Sequence, residues 1–119
     1  MDGALGPRTA HMMEPYNGEP SNFGLALTDC ERLEAFGKAA SENGLAMTVH
    51  AIGDQANRSV LDAYASIRDY ERSLDIEVSA LRHRIEHVQL IHPEDMGRLG
   101  ELGVIASMQP IHATSDMVM

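Results

Sequence analysis

Two histidines stand where strands should end. "VHAIGD" (49–54) runs from apolar residues into a helix start, with His50 at the joint, and "RIEH" (84–87) ends on His87. Neutral imidazole is a good ligand for zinc or a similar divalent ion. In parallel α/β proteins, ligand and catalytic groups gather at the C-terminal ends of strands. A catalytic zinc usually takes three protein ligands and a water, so two histidines do not complete a site. Spacing alone also allows the plainer reading, in which each is a polar strand-end residue bonded to backbone. A third histidine, His112, falls in the loop after "VIASM" (104–108), where a substrate could reach it. Alternation groups Thr48 with His50, and His83 and Ile85 with His87. His50 and His87 can meet only if their strands are neighbours. His11 and His83 read as structural, and His92, before Pro93, as a capping or turn residue.

The other reactive side chains have simpler explanations. Asp54 follows a strand end and could be a base, but its place at a helix start favours capping. Glu86 sits beside His87, and a salt bridge to Arg84 explains it better than catalysis. Cys30 falls in a first helical turn, where the dipole can lower a thiol pKa. No histidine is evidently paired with it, so a structural thiol is expected. No G-x-S-x-G elbow and no H-E-x-x-H pair is present, which weakens serine-hydrolase and zincin readings.

These residues need elements to place them. Residues 1–27 are punctuated by glycine, proline and asparagine and predict an irregular segment. A loop that long usually covers or forms a site. Thr28 with Glu31 forms a capping box for a first helix. Leu33, Phe36 and Ala40 are its expected buried stripe, and Gly44 its stop. "LAMTVH" (45–50) predicts a buried strand. Asp54 then caps a helix of roughly 55–70 whose stripe is Ala56, Val60, Ala63 or Tyr64, and Ile67. A second strand is expected around 82–88. A helix opening at Pro93 follows, with Met96, Leu99 and Leu102 inward and Gly103 at its end. "VIASM" is the third strand, and "QPIHATSD" (109–116) a loop. Residues 28–119 thus read α-β-α-β-α-β, which means parallel strands with helical crossovers. An open doubly wound sheet and a stretch of a (β/α)8 barrel both satisfy that order. No Gly-rich phosphate loop follows any strand.

Bulk composition narrows the field. With 119 residues and 44% hydrophobic content, the chain can build a core. Eighteen acidic against nine basic residues give a net charge of −9. That argues against a nucleic-acid partner and against an anionic membrane surface. No apolar run approaches the roughly 20 residues that span a bilayer. One cysteine permits no internal disulfide, and the N-terminus lacks a signal-peptide pattern, so a cytoplasmic setting is expected. Both ends look like cuts through a longer protein.

Four stretches in order carry a resemblance: "DGALGPRTA", "VHAIGDQA", "RHRIEHVQL" followed by "HPEDMGRLGELGV", and "ASMQPIHATSD". Together they resemble the amidohydrolase superfamily, in its amidohydrolase-3 (YtcJ-like) branch of metal-dependent hydrolases. The resemblance covers essentially the whole chain. It implies a partial (β/α)8 TIM barrel spanning roughly strands five to seven. It implies that His50 and His87 are metal ligands on the fifth and sixth strands. The loop after the seventh would line a substrate pocket with Gln109 and His112. The implied cofactor is a divalent metal, zinc being the first expectation. Separately, the distance from His50 to His87 suits one barrel unit, about 31 residues when roughly 250 make eight. The family's first-strand His-x-His, bridging lysine and eighth-strand aspartate are absent, and Asp116, in the seventh-strand loop, is no substitute for the last.

The function so implied is part of a hydrolase of C–N bonds in small amide-like substrates, with the 119-residue chain alone inactive. The alternative is a partial-barrel module for regulation or association, with structural histidines. Three parallel strands leave two open edges, so a homo-oligomer or domain swap is expected.

Overall fold

The computed structural model describes residues 1–118. Its centre is a parallel three-stranded sheet in the order β1-β2-β3, with β1 Thr48–Ala51, β2 Arg84–His87 and β3 Ile105–Ser107. Thr48 pairs with Arg84, His50 with Glu86 and Ala51 with His87, while Arg84 pairs with Ile105 and Glu86 with Ser107. β1 therefore starts three residues later than the apolar run predicts. Leu45 lies outside the ladder and is exposed.

Helix α1 spans Cys30–Glu42, α2 Asp54–Ser73, α3 Met96–Glu101 and α4 His112–Ser115. Short 3-10 turns cover Val78–Ala80, Pro93–Asp95 and Asp116–Val118. Ala56, Val60, Ala63, Tyr64 and Ile67 of α2 have no exposed surface and pack on Val49, Ala51 and Ile85 of the sheet. The predicted stripe of this helix is the observed one, because its 3.6-residue period meets an apolar sheet face. The Tyr64 hydroxyl lies 2.8 Å from the Arg84 carbonyl and 3.2 Å from that of Met47, linking the helix to β2 and to the residue before β1.

Several local expectations are corrected. Asp29, not Thr28, is the N-cap of α1: its carboxylate accepts the Arg32 N–H at 2.7 Å. The helix begins one residue later than a Thr28 cap requires, so Glu31 falls out of capping-box register. Phe36 is 55% exposed, because α1 meets α2 through Leu33, Gly37 and Ser41. Gly53, not Asp54, occupies the N-cap of α2. Asp54 instead accepts the Met13 N–H at 2.9 Å and so holds the irregular segment. Met96 is exposed. His92 does cap, accepting the Glu94 N–H at 3.2 Å. Gly44 and Gly103 follow their helices at φ +70° and +60°, conformations that suit glycine. The segment read as a loop after β3 contains α4.

Residues 1–29 contain no helix or strand. Backbone bonds such as Met12 N–H to the Phe23 carbonyl and Leu25 N–H to that of Thr9 fold the segment on itself. Among the described residues, no helix is long and apolar enough to cross a membrane.

Candidate functional site

Strict alternation would put the two histidines on opposite faces. Val49 and Ile85, which pair, both face the helices, so His50 belongs to the other face and His87 to the helix face. The backbone breaks this pattern. His87 and Val88 have φ of +79° and +48°, left-handed values that are uncommon for side chains with a Cβ and rarer still for a β-branched one. The turn brings the His87 ring edge-to-face against His50, with centroids 4.8 Å apart. Such outliers persist only where the surroundings enforce them. Here Val88 N–H bonds to the Ala51 carbonyl at 3.1 Å and Leu90 N–H to that of Ile52 at 2.9 Å, which carries the pairing past the strand ends. The buried Asn57 amide adds a clamp, donating toward the Gly53 and Leu90 carbonyls at 3.0 and 2.9 Å.

Each ring has one nitrogen committed. His50 Nε2 lies 2.8 Å from the Gly3 carbonyl, an acceptor only, so Nε2 carries the proton. His87 Nδ1 lies 2.7 Å from Gln109 Oε1, and the Gln109 amide nitrogen points to the Ser107 carbonyl at 3.3 Å. In the neutral rings the lone pairs are thus on Nδ1 of His50 and Nε2 of His87. His112 stacks on His87 with centroids 5.4 Å apart. Its Nδ1 is buried without a hydrogen-bond partner.

A cavity of about 560 Å³ opens beside the His87 and His112 rings. Its polar lining is His87, Gln89, Gln109, His112 and Asp116, and Leu90 and Met108 are among its apolar walls. On the sheet face that carries His50, Glu86 pairs with Arg84 at 2.6 Å. The Ser107 hydrogen bond, with help from Arg84, holds the Glu86 carboxyl below the usual carboxylate range.

The structure brings His50, His87, Gln109 and His112 into one neighbourhood through the ring contacts and the His87–Gln109 hydrogen bond. Asp2 was missed. Its buried carboxylate lies 3.4 Å from His50 Nε2, and an Asp-Gly pair in an irregular segment carries no local signal of that contact. Cys30 is half-buried and its thiol is pushed up, by burial first and Glu34 second. That is the opposite of an activated nucleophile. His11, His83 and His92 lie outside the cluster. Among the described residues no group of three histidine, cysteine or carboxylate side chains is placed to hold a metal. The donor set fits a metal in part: two imidazoles with free, differing nitrogens.

The amidohydrolase family's sequence profile matches residues 1–119. The chain belongs to the amidohydrolase family. It is 40% identical to Protein LONG AFTER FAR-RED 3 of Arabidopsis thaliana over 98% of its own length and 19% of that protein. It is 35% identical to the putative amidohydrolase YtcJ of Bacillus subtilis, over 97% of this chain and 20% of the relative. A metal-dependent hydrolase of Pyrococcus furiosus superposes with a TM-score of 0.82 at 34% identity, covering 97% of this chain and 22% of that one. One from Pyrococcus horikoshii gives 0.81 at 33% identity. The chain spans about a fifth of the length of these relatives.

Proposed function

We propose that this amidohydrolase-family chain is part of a metal-dependent hydrolase of C–N bonds in amide-like substrates. In this reading its three strands are roughly the fifth to seventh of a (β/α)8 barrel. His50 and His87 are metal ligands, through Nδ1 and Nε2 respectively. One observation carries the reading: two histidines from adjacent strand ends meet at 4.8 Å, and a left-handed backbone at His87 is maintained to bring them there. A structural role needs no such strain. Zinc suits an imidazole donor set. A divalent metal held by His50 and His87 together with further ligands would supply Lewis-acid polarisation of a carbonyl and a bound water of pKa about 7.

The chain's own residues do the holding. Gln109 fixes the His87 ring through Nδ1, and the Gly3 carbonyl fixes His50 through Nε2. Gln109 and His112 line the cavity in which an amide-like substrate would lie. With only two ligands in place, the purified 119-residue chain is expected to show no turnover.

Metal analysis of the wild type against His50→Ala and His87→Ala tests the assignment. Each change is expected to abolish stoichiometric zinc uptake. Unchanged metal content in both would overturn it. A second reading, a non-catalytic module for association, is supported by the open sheet edges at β1 and β3 and by exposed Phe36, Leu45 and Met96. It predicts that neither histidine affects metal content or assembly.

A further inference from the structure

Asp2 has no exposed side-chain surface, although it lies in an irregular segment. Its Oδ2 accepts the N–H groups of His11 at 2.9 Å and Gly53 at 2.8 Å, and its Oδ1 accepts that of Ile52 at 3.1 Å. The carboxylate thus ties the segment to the backbone that leaves β1, two and three residues after His50. The same Oδ1 is 3.4 Å from His50 Nε2, and the carbonyl of the next residue, Gly3, is 2.8 Å from that nitrogen. Gly3 is packed close: a Cβ there would meet Thr9 Oγ1 at 2.0 Å. With its N–H bonded to the Thr9 carbonyl at 3.1 Å, the Gly3 backbone is pinned on one side by Thr9 and follows directly in the chain from the anchored Asp2.

We infer that Asp2 is a positioning residue for His50. Through its three backbone bonds it seats the Gly3 carbonyl, and with its own Oδ1 it holds the proton of His50 on Nε2, which leaves the Nδ1 lone pair for a metal. The inference rests on the metal reading proposed above. Partners of this kind fix the ring tautomer and orientation of ligand histidines, and losing one typically costs 10–100-fold in metal affinity. Asp2 makes every one of its contacts as an acceptor. Asparagine keeps the shape but turns one acceptor into a donor facing N–H groups.

The test is long-range proton–nitrogen correlation on the nitrogen-15-labelled, metal-free chain at a pH where imidazole is neutral, with zinc titration alongside. The wild type should show His50 protonated at Nε2 and pyridine-like at Nδ1. Asp2→Asn should move a substantial share of His50 to the Nδ1–H form, leave His87 unchanged, and weaken zinc binding about tenfold or more. A folded Asp2→Asn chain that keeps the wild-type His50 tautomer and zinc affinity overturns the inference. So does a wild-type His50 that carries its proton on Nδ1, a result that does not depend on the variant folding. A tautomer that responds to Asp2→Asn in a chain that binds no zinc supports the positioning role and overturns the metal reading instead.

Discussion

Behind the sheet, Glu71, His83, Arg68 and Ser41 form a polar cluster with almost no exposed surface. Arg68 donates to Glu71 at 2.7 Å and to the carbonyls of Leu102 and Gly103. His83 Nδ1 accepts the Met47 N–H at 2.9 Å, so its proton is on Nε2, toward Glu71, while the ring stacks on Tyr64. Charging His83 would place a proton against the Met47 N–H. Burial accordingly pushes its pKa below the usual 6.5, outweighing the attraction of Glu71. Burial pushes Glu71 up, but the hydrogen bonds from His83, Ser41 and Arg68 outweigh it and hold the carboxyl below 4.5. Both folded-state pKa values are depressed, so the unfolded chain binds more protons on acidification. The stability is intact above the unfolded values and is lost as pH falls, first from His83 below 6.5 and then from Glu71 below 4.5. Urea midpoints should therefore drop steadily from about pH 7 to about pH 4. A flat profile over that range would contradict the cluster's role. At this scale the sequence separates His83 from the ligand pair but not its partners. An Arg–Glu pair three apart on a helix reads as a solvated face, and only burial reveals otherwise.

Among the elements, the contact between α1 and α2 is the tightest test of packing. A Cβ on Gly37 would meet Ile67 Cδ1 at 2.1 Å and Cγ1 at 2.7 Å, with the Met47 sulfur at 3.2 Å. Alanine favours a helix over glycine by about 1 kcal/mol, whereas overpacking a filled core costs about 1–3 kcal/mol. Ile67 is fully buried and has nowhere to retreat, so the steric term wins. Gly37→Ala should be destabilised by about 1 kcal/mol, read from the urea midpoint; a stabilised variant would show that the helices can part. The order of helices and strands was legible because periodicity and stop glycines are local signals. Caps shifted by one residue because Thr28 and Asp29, like Gly53 and Asp54, compete for one role, and geometry chooses between neighbours. Phe36 misled because a short stripe fits two faces, and the choice rests with what the partner helix offers.

For the whole molecule, the sheet has β1 and β3 as open edges, and Phe23, Leu25, Leu27, Phe36, Leu45 and Ile111 are all exposed. Unpaired strand edges next to exposed apolar side chains favour pairing with another chain. Sedimentation at low concentration should return at least twice 13.0 kDa; a stable monomer would refute self-association. The sequence by itself determined the family, the α/β order and which histidines end strands, because motif identity and hydrophobic period are written in consecutive residues. The family resemblance carried in those motifs also pointed to Gln109 and His112 as pocket residues. Only the tertiary structure decided that His50 and His87 meet. Alternation sends them to opposite faces, and it takes the left-handed turn at His87, held by pairing with the end of β1, to bring them together. It likewise decided which nitrogen of each ring is free, since the Gly3 carbonyl and Gln109 come from parts of the chain far from either histidine. A hydrogen bond across such distances depends on the packed whole, and no local pattern of residue types encodes it.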